Sequence, residues 1–268
     1  MINIAMRSQG AIDHGSLSSI NTVTGSAVEA QTIHSLNTRK DRYAAEPVKA
    51  QSSTVQPSAA QPSAASSQPA PVPAPTPAPK PIPQLLKTVQ KGQKTALESQ
   101  TPLHTLKVCL GWNTTNAQCD VDVSAFPLDN TGKVPGDDWF IFYGQTESPD
   151  HSTVFCPENS ADRESITIHL DKLNPAVKKI VFVLTIHEAL ERKLHFGMVQ
   201  DAYIRILNGD SKEELVSFKM EEYYANVISM MIGEIYYHNG IWKFNAIGNG
   251  VAKDLSGLCG LYGVQVDG

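Results

Sequence analysis

The chain is 268 residues long with 22 Lys/Arg against 27 Asp/Glu, and the imbalance lies in its later part, where residues 85–268 hold sixteen bases against twenty-three acids. An acidic domain without a cluster of Lys or Arg repels nucleic-acid phosphates and anionic headgroups, which excludes nucleic acid as an expected partner. No apolar run nears the roughly twenty residues of a membrane helix, and the N-terminus lacks the apolar core of a secretory signal, so no membrane insertion and a cytoplasmic location are expected.

Residues 1–45 are rich in Ser, Thr and Asn with no periodic apolar run, and read as a disordered N-terminal tail. Residues 46–84 hold eleven of the seventeen prolines among Ala, Ser and Gln, too few apolar groups to build a core. Within them APVPAPTPAPKPIP (70–83) places Pro at every second position, which favours an extended polyproline-like linker. From Leu85 to Gly268 short apolar runs alternate with turn residues, the pattern of an all-β fold, here a two-sheet antiparallel β-sandwich.

Strands are predicted at Leu106–Leu110, Val121–Leu128, Phe140–Tyr143, Ile166–Leu170, Ile180–Ile186, Tyr203–Leu207, Leu215–Lys219, Val227–Tyr237 and Trp242–Ile247, several rich in Val, Ile and aromatics. Asn239-Gly240 supplies the positive φ angles of a tight hairpin between the last two. Helix formers predict short helices at Glu188–Val199 and Lys253–Tyr262. Cys109, Cys119, Cys156 and Cys259 have neither metal-ligand nor redox spacing and read as small buried apolar residues.

Between Asp120 and Glu164 ten acids stand against two bases. In CDVDVSAFPL (119–128), strand alternation places Asp120, Asp122 and Ser124 on one face. Further oxygens follow at Asp137 and Asp138, at Ser148 and Asp150, and at Asn159, Asp162 and Glu164. Converging carboxylates repel one another by about 1–4 kcal/mol per close pair and call for a cation. Calcium (Ca2+) takes six to eight oxygens in flexible geometry and suits such a set better than Mg2+, which is octahedral, or Zn2+, which prefers His and Cys. A solvated acidic surface whose Asp and Asn serve turns accounts for the same spacing. The D-x-D-x-S run lacks the Gly and closing Glu of an EF-hand.

Read in order, KGQKTAL (91–97), LKVCLGW (106–112), CDVDVSAFPL (119–128), DDWFIFYGQTESPD (137–150), KIVFVLTIHEA (179–189), FGMVQDAYIRI (196–206) and GEIYYHNGIWKFNAIGNG (233–250) resemble the TerD family over the whole domain. The resemblance implies a two-sheet sandwich, calcium held by acidic loops, a cytoplasmic location and a part in resistance to tellurite and other stresses. It carries a metal-ligand role onto Asp120, Asp122, Asp137, Asp138, Ser148, Asp150, Asn159, Asp162 and Glu164. Two departures stand out: Gly144 and Gln145 replace a usual Asn pair after FIFY, and the Gly/Asp-rich loop is cut to NSADRES with Arg163 among the acids. Both imply fewer ligands and weaker binding, or one ion in place of two.

His187 beside Glu188 is read as a structural histidine rather than an acid–base pair, since neighbours on an extended chain face opposite ways. Trp112, Trp139 and Trp242 each adjoin an apolar run and read as core, and no P-loop, G-x-S-x-G or H-E-x-x-H spacing occurs. The expected function is a calcium-binding scaffold meeting a protein partner, not an enzyme. The alternative is a binder of cyclic nucleotides or phosphorylated compounds, or a metal-dependent hydrolase.

Overall fold

The computed structural model describes residues 78–158 and 160–266. The expected tail, most of the proline-rich linker and Asn159 lie outside them. Ten strands follow in order: β1 (Lys94–Ala96), β2 (Thr105–Thr114), β3 (Val121–Leu128), β4 (Thr153–Pro157), β5 (Glu164–His169), β6 (Lys179–Ile186), β7 (Val199–Asn208), β8 (Glu214–Lys219), β9 (Ser229–His238) and β10 (Ile241–Val251). One helix, α1 (Leu255–Tyr262), ends the domain. Two five-stranded sheets form, with strand orders β1-β10-β9-β6-β3 and β4-β5-β2-β7-β8, and every named strand pair is antiparallel. The expected two-sheet antiparallel sandwich is what the chain builds.

The reason is legible in the alternation. On β2 the apolar Leu106, Val108 and Leu110 are wholly buried, as are Ile204 and Ile206 beside them on β7 and Ile166 and Ile168 on β5. Their faces can leave water only against the other sheet, which brings Val123, Ala125, Ile180, Phe182 and Leu184.

The opposite face of β3 is covered too. Phe126 stacks on Phe140 at 4.6 Å and meets Tyr262 of α1 at 4.6 Å, while Phe140 stacks on Phe142 at 4.6 Å. Helix α1 is held there by its caps: Asp254 accepts the Gly257 N–H at 2.8 Å, and Gly263 takes φ 83 to close the C-terminus. The chain from Phe140 to Tyr143, expected as a strand, runs beside β3 with only isolated pairing, Ala125 and Ile141 exchanging hydrogen bonds of 2.8 and 3.0 Å. It shields an edge rather than extending the sheet.

Two expectations about local structure change. β1 and β4, three and five residues long, were not expected as strands. The helix expected at Glu188–Val199 is instead a set of turns, with Glu188 and Lys193 at φ 50 and 54. This segment carries the chain from β6 in one sheet to β7 in the other, and burial of Ala189, Leu194 and Phe196 overrides its helix propensity.

A close approach on β2 tests the packing of the second sheet. A Cβ on Gly111 would overlap the ring of Tyr203, its partner across the ladder, and that ring is fully buried. Gly111→Ala is expected to destabilise the domain by about 1–3 kcal/mol, as overpacking does, read from urea unfolding with an unchanged m-value.

Candidate functional site

The acidic residues singled out in the sequence do not gather at one spot. Asp120 precedes β3 and its carbonyl accepts the His187 N–H at 2.9 Å. It lines an open cleft of about 480 Å3 with Glu158 and Glu164, and with Lys80, Arg163 and Arg192. Asp122, 7% exposed, lies opposite Thr185 of β6 and opens into a separate small cavity of about 70 Å3 that also meets Glu188, Asp254 and Tyr143. Alternation therefore holds for Asp122 and Ser124 but not for Asp120, which sits outside the strand.

The other acids are further away. Asp138 lies in the 3-10 turn Asp137–Trp139 that precedes the Phe140–Tyr143 segment, and it lines neither of these two cavities. Asp138 and Asp137 are exposed, and Asp137 Oδ1 accepts the Gln265 N–H at 2.8 Å. Asp150 sits at the His169 end of β5, since Thr153 pairs with Ile168, whereas Glu164 starts that strand about 17 Å away. Asp150 accepts the Ser148 hydroxyl at 2.7 Å, the Ser152 N–H at 3.0 Å and the Asn174 N–H at 2.8 Å, which makes it the organiser of a loop. Among the described residues no three His, Cys, Asp or Glu side chains stand close enough to hold a metal ion together.

Asp162 and Glu164 leave the chain in different directions. Asp162 folds over the outer side of the second sheet, where its carboxylate accepts from Arg205 Nη2 at 2.6 Å, Arg205 Nε at 3.1 Å and the Tyr203 hydroxyl at 2.9 Å. Burial and the Asp162 charge push the neighbouring Cys109 thiol up to about 12 and raise the Tyr203 phenol as well, so both stay protonated. Glu164 reaches the opposite way, and its Oε2 accepts the Val123 N–H at 2.7 Å on the free edge of β3. Between them Arg163 donates from Nε to the Trp112 carbonyl at 2.6 Å and lies over the Trp112 ring at 5.8 Å; burial pulls its pKa down.

The β3 face remains the best-built polar feature. Ser124 is 1% exposed and its hydroxyl has no hydrogen-bond partner among the described residues. A buried hydroxyl left unpaired costs about 1–3 kcal/mol, so its place beside buried Asp122 needs a reason. Around the Asp122 cavity the donors are oxygens from Thr185, Ser256, Glu188 and Asp254, with His187 as the one nitrogen ligand type; Glu188 is engaged by Arg192 and lies 3.5 Å from His187. Sequence reasoning missed Glu188 and Asp254 here because they belong to turns after β6 and before α1, far from β3 in sequence.

With that geometry in view, comparison with known proteins is decisive for the family. The model of the TerD domain matches residues 86–262. The chain belongs to the TerD family. The tellurium resistance protein TerD of Serratia marcescens is 39% identical over 187 residues, 66% of this chain and 97% of the relative. General stress protein 16U of Bacillus subtilis is 37% identical over 189 residues, 67% of this chain and 98% of that protein. The chemical-damaging agent resistance protein B of Clostridium acetobutylicum is 37% identical over 132 residues, 47% of this chain and 95% of that one. This TerD-family domain thus spans essentially the whole length of these relatives, with the N-terminal residues added to it.

Two measurements check the structural roles. Asp162→Ala strands Arg205 beside buried Tyr203 and Cys109, and is expected to cost about 3 kcal/mol in urea unfolding whether or not calcium is present. At Asp150 burial raises the carboxyl pKa, but the hydrogen bonds from Ser148, Ser152 and Asn174 outweigh it and hold the group below its ordinary 3.8. A depressed pKa contributes stability that is present above the unfolded value and is lost as pH falls through the folded one. Asp150→Asn is therefore expected to be less stable near neutral pH, and the gap to the wild type to close only as pH falls below 3.8 and through the depressed folded value, in an acid titration followed by circular dichroism.

Proposed function

We propose that this TerD-family chain is a calcium-holding interaction module of the cytoplasmic stress response, including tellurite resistance, and that it has no catalytic activity of its own. The observation that supports the calcium reading is buried Asp122 opening into a cavity whose polar side chains are nearly all oxygen-bearing, with Ser124, whose hydroxyl has no hydrogen-bond partner among the described residues, two residues further along β3. Such a set suits a hard cation that accepts carboxylate, hydroxyl and carbonyl oxygens together with water. Asp122 and Ser124 would hold the ion, and the ion would supply charge that ties β3 to the loop after β6 and the start of α1.

The remaining acids of the family-like motif act as structural groups in this reading, since Asp137, Asp150 and Asp162 already accept protein donors. A single ion at lower affinity agrees with the shortened acidic loop. The larger cleft has Lys80, Arg163, Arg192 and Trp112, which would suit a phosphorylated ligand, but Asp120, Glu158 and Glu164 line it too and cancel that charge.

Thermal unfolding of the full chain with and without calcium tests this. Calcium in excess over its dissociation constant by about a hundredfold is expected to add about 2.7 kcal/mol. Asp122→Ala should abolish that shift, while Asp138→Ala should keep it. A melting curve indifferent to calcium would defeat the reading.

A further inference from the structure

The described chain does not begin as a free tether. Asn113, near the end of β2, is 3% exposed, and its carboxamide holds the backbone of Lys80 at two points. Asn113 Oδ1 accepts the Lys80 N–H at 2.9 Å and Asn113 Nδ2 donates to the Lys80 carbonyl at 3.0 Å. The β2–β7 ladder shifts register between Gly111 and Asn113, a bulge of the kind that re-aims a side chain. Further along, Glu214 Oε1 accepts the Leu86 and Lys87 N–H groups at 2.8 and 2.9 Å. The Ser217 N–H then donates to the Lys87 carbonyl at 2.9 Å, and the Val89 N–H to the Ser217 carbonyl at 2.9 Å. Residues 87–89 thus lie parallel along the edge of β8.

What Asn113 reads is specific in chemical terms. Lys80 stands between Pro79 and Pro81, so of these three residues it alone has a backbone N–H. A carboxamide offers one acceptor and one donor side by side, the complement of one residue's N–H and C=O. Alternating prolines pre-extend the peptide, so little chain entropy is lost on docking, as in other modules that bind such segments. The Lys80 side chain makes no ion pair in this arrangement among the described residues, leaving the backbone as the recognised element.

We propose that Asn113 marks a docking site for an extended, proline-flanked peptide, and that the chain's own segment around Lys80 is its resident occupant. The site fixes where the N-terminal segment leaves the domain, on the flank of the cleft that Lys80, Trp112 and Arg163 share. It stands apart from the calcium reading, since neither Asp122 nor Ser124 takes part.

Backbone 15N relaxation on the full-length chain tests it. In the wild type the Ala78 and Ile82 amides are expected to tumble with the domain, like those of Val108 and Ile204. Asn113→Ala, or Asn113→Leu where bulk must be kept, should release Ala78 and Ile82 to the behaviour of a free peptide while Val108 and Ile204 stay ordered. Adding the synthetic peptide of residues 78–84 at concentrations on the order of millimolar, the effective concentration of a short tether, should release the same amides. An all-proline peptide of equal length, which has no internal N–H to offer, should not. Mobile Ala78 and Ile82 in the wild type, ordered ones in both Asn113 variants, or no release by the 78–84 peptide would each overturn the proposal.

Discussion

Three consecutive side chains, Asp162, Arg163 and Glu164, hold the domain together where its two sheets meet at their polar end. Asp162 turns outward to Arg205 and Tyr203 on β7, Arg163 turns along β2 to the Trp112 carbonyl, and Glu164 crosses to the Val123 amide on β3. Each satisfies a group that burial would otherwise leave unpaired, and such groups are costly in a low-dielectric interior. The second sheet is thereby fixed against the edge of the first, and the placing of Asn113 and of the cleft follows from it.

That constraint decides which acids remain available for anything else. A carboxylate that already accepts two or three protein donors gains little from a cation and must give up those bonds to coordinate one. Asp150 and Asp162 are in this position, whereas the Ser124 hydroxyl has no hydrogen-bond partner among the described residues. Arg163 puts a fixed internal cation beside Glu158 and Glu164, where mutual repulsion would otherwise invite a mobile one. Much of the acidic end of the domain is thereby neutralised from within.

The sandwich was legible because its signals are local. Short apolar runs rich in Val, Ile and aromatics on β3, β6 and β7 and the Asn239-Gly240 turn need no knowledge of distant contacts, and helix formers pointed to α1. The acidic site was legible only as a list of residue types. Which acids meet depends on how β3, β5 and the Phe140–Tyr143 segment lie against one another, and sequence spacing says nothing of that. The segment Glu188–Val199 shows the same limit: good helix formers lost to a crossing between sheets that buries Leu194 and Phe196. Arg205 left a faint signal, a lone cation sharing a strand face with Tyr203, which calls for a counter-charge without saying that Asp162 supplies it.

The same reasoning bears on what such an acidic domain offers a partner. Its surface charges are largely spent in local pairs, as Lys87 with Glu213, Lys91 with Glu222 and Lys219 with Asp201 illustrate. Exposed pairs of this kind contribute little energy and are screened at physiological salt. Recognition that survives salt must then rest on buried, uncharged groups of fixed geometry, and Asn113 is one of these. Its carboxamide is immobilised by the β2 bulge and held near Arg163 at 3.5 Å and Asp201 at 3.4 Å, so it meets an extended backbone without first paying to order itself. A proline-rich extension and a carboxamide clamp are complementary for one physical reason: where prolines remove most backbone donors, the few N–H groups left become the only backbone donors such a site can read.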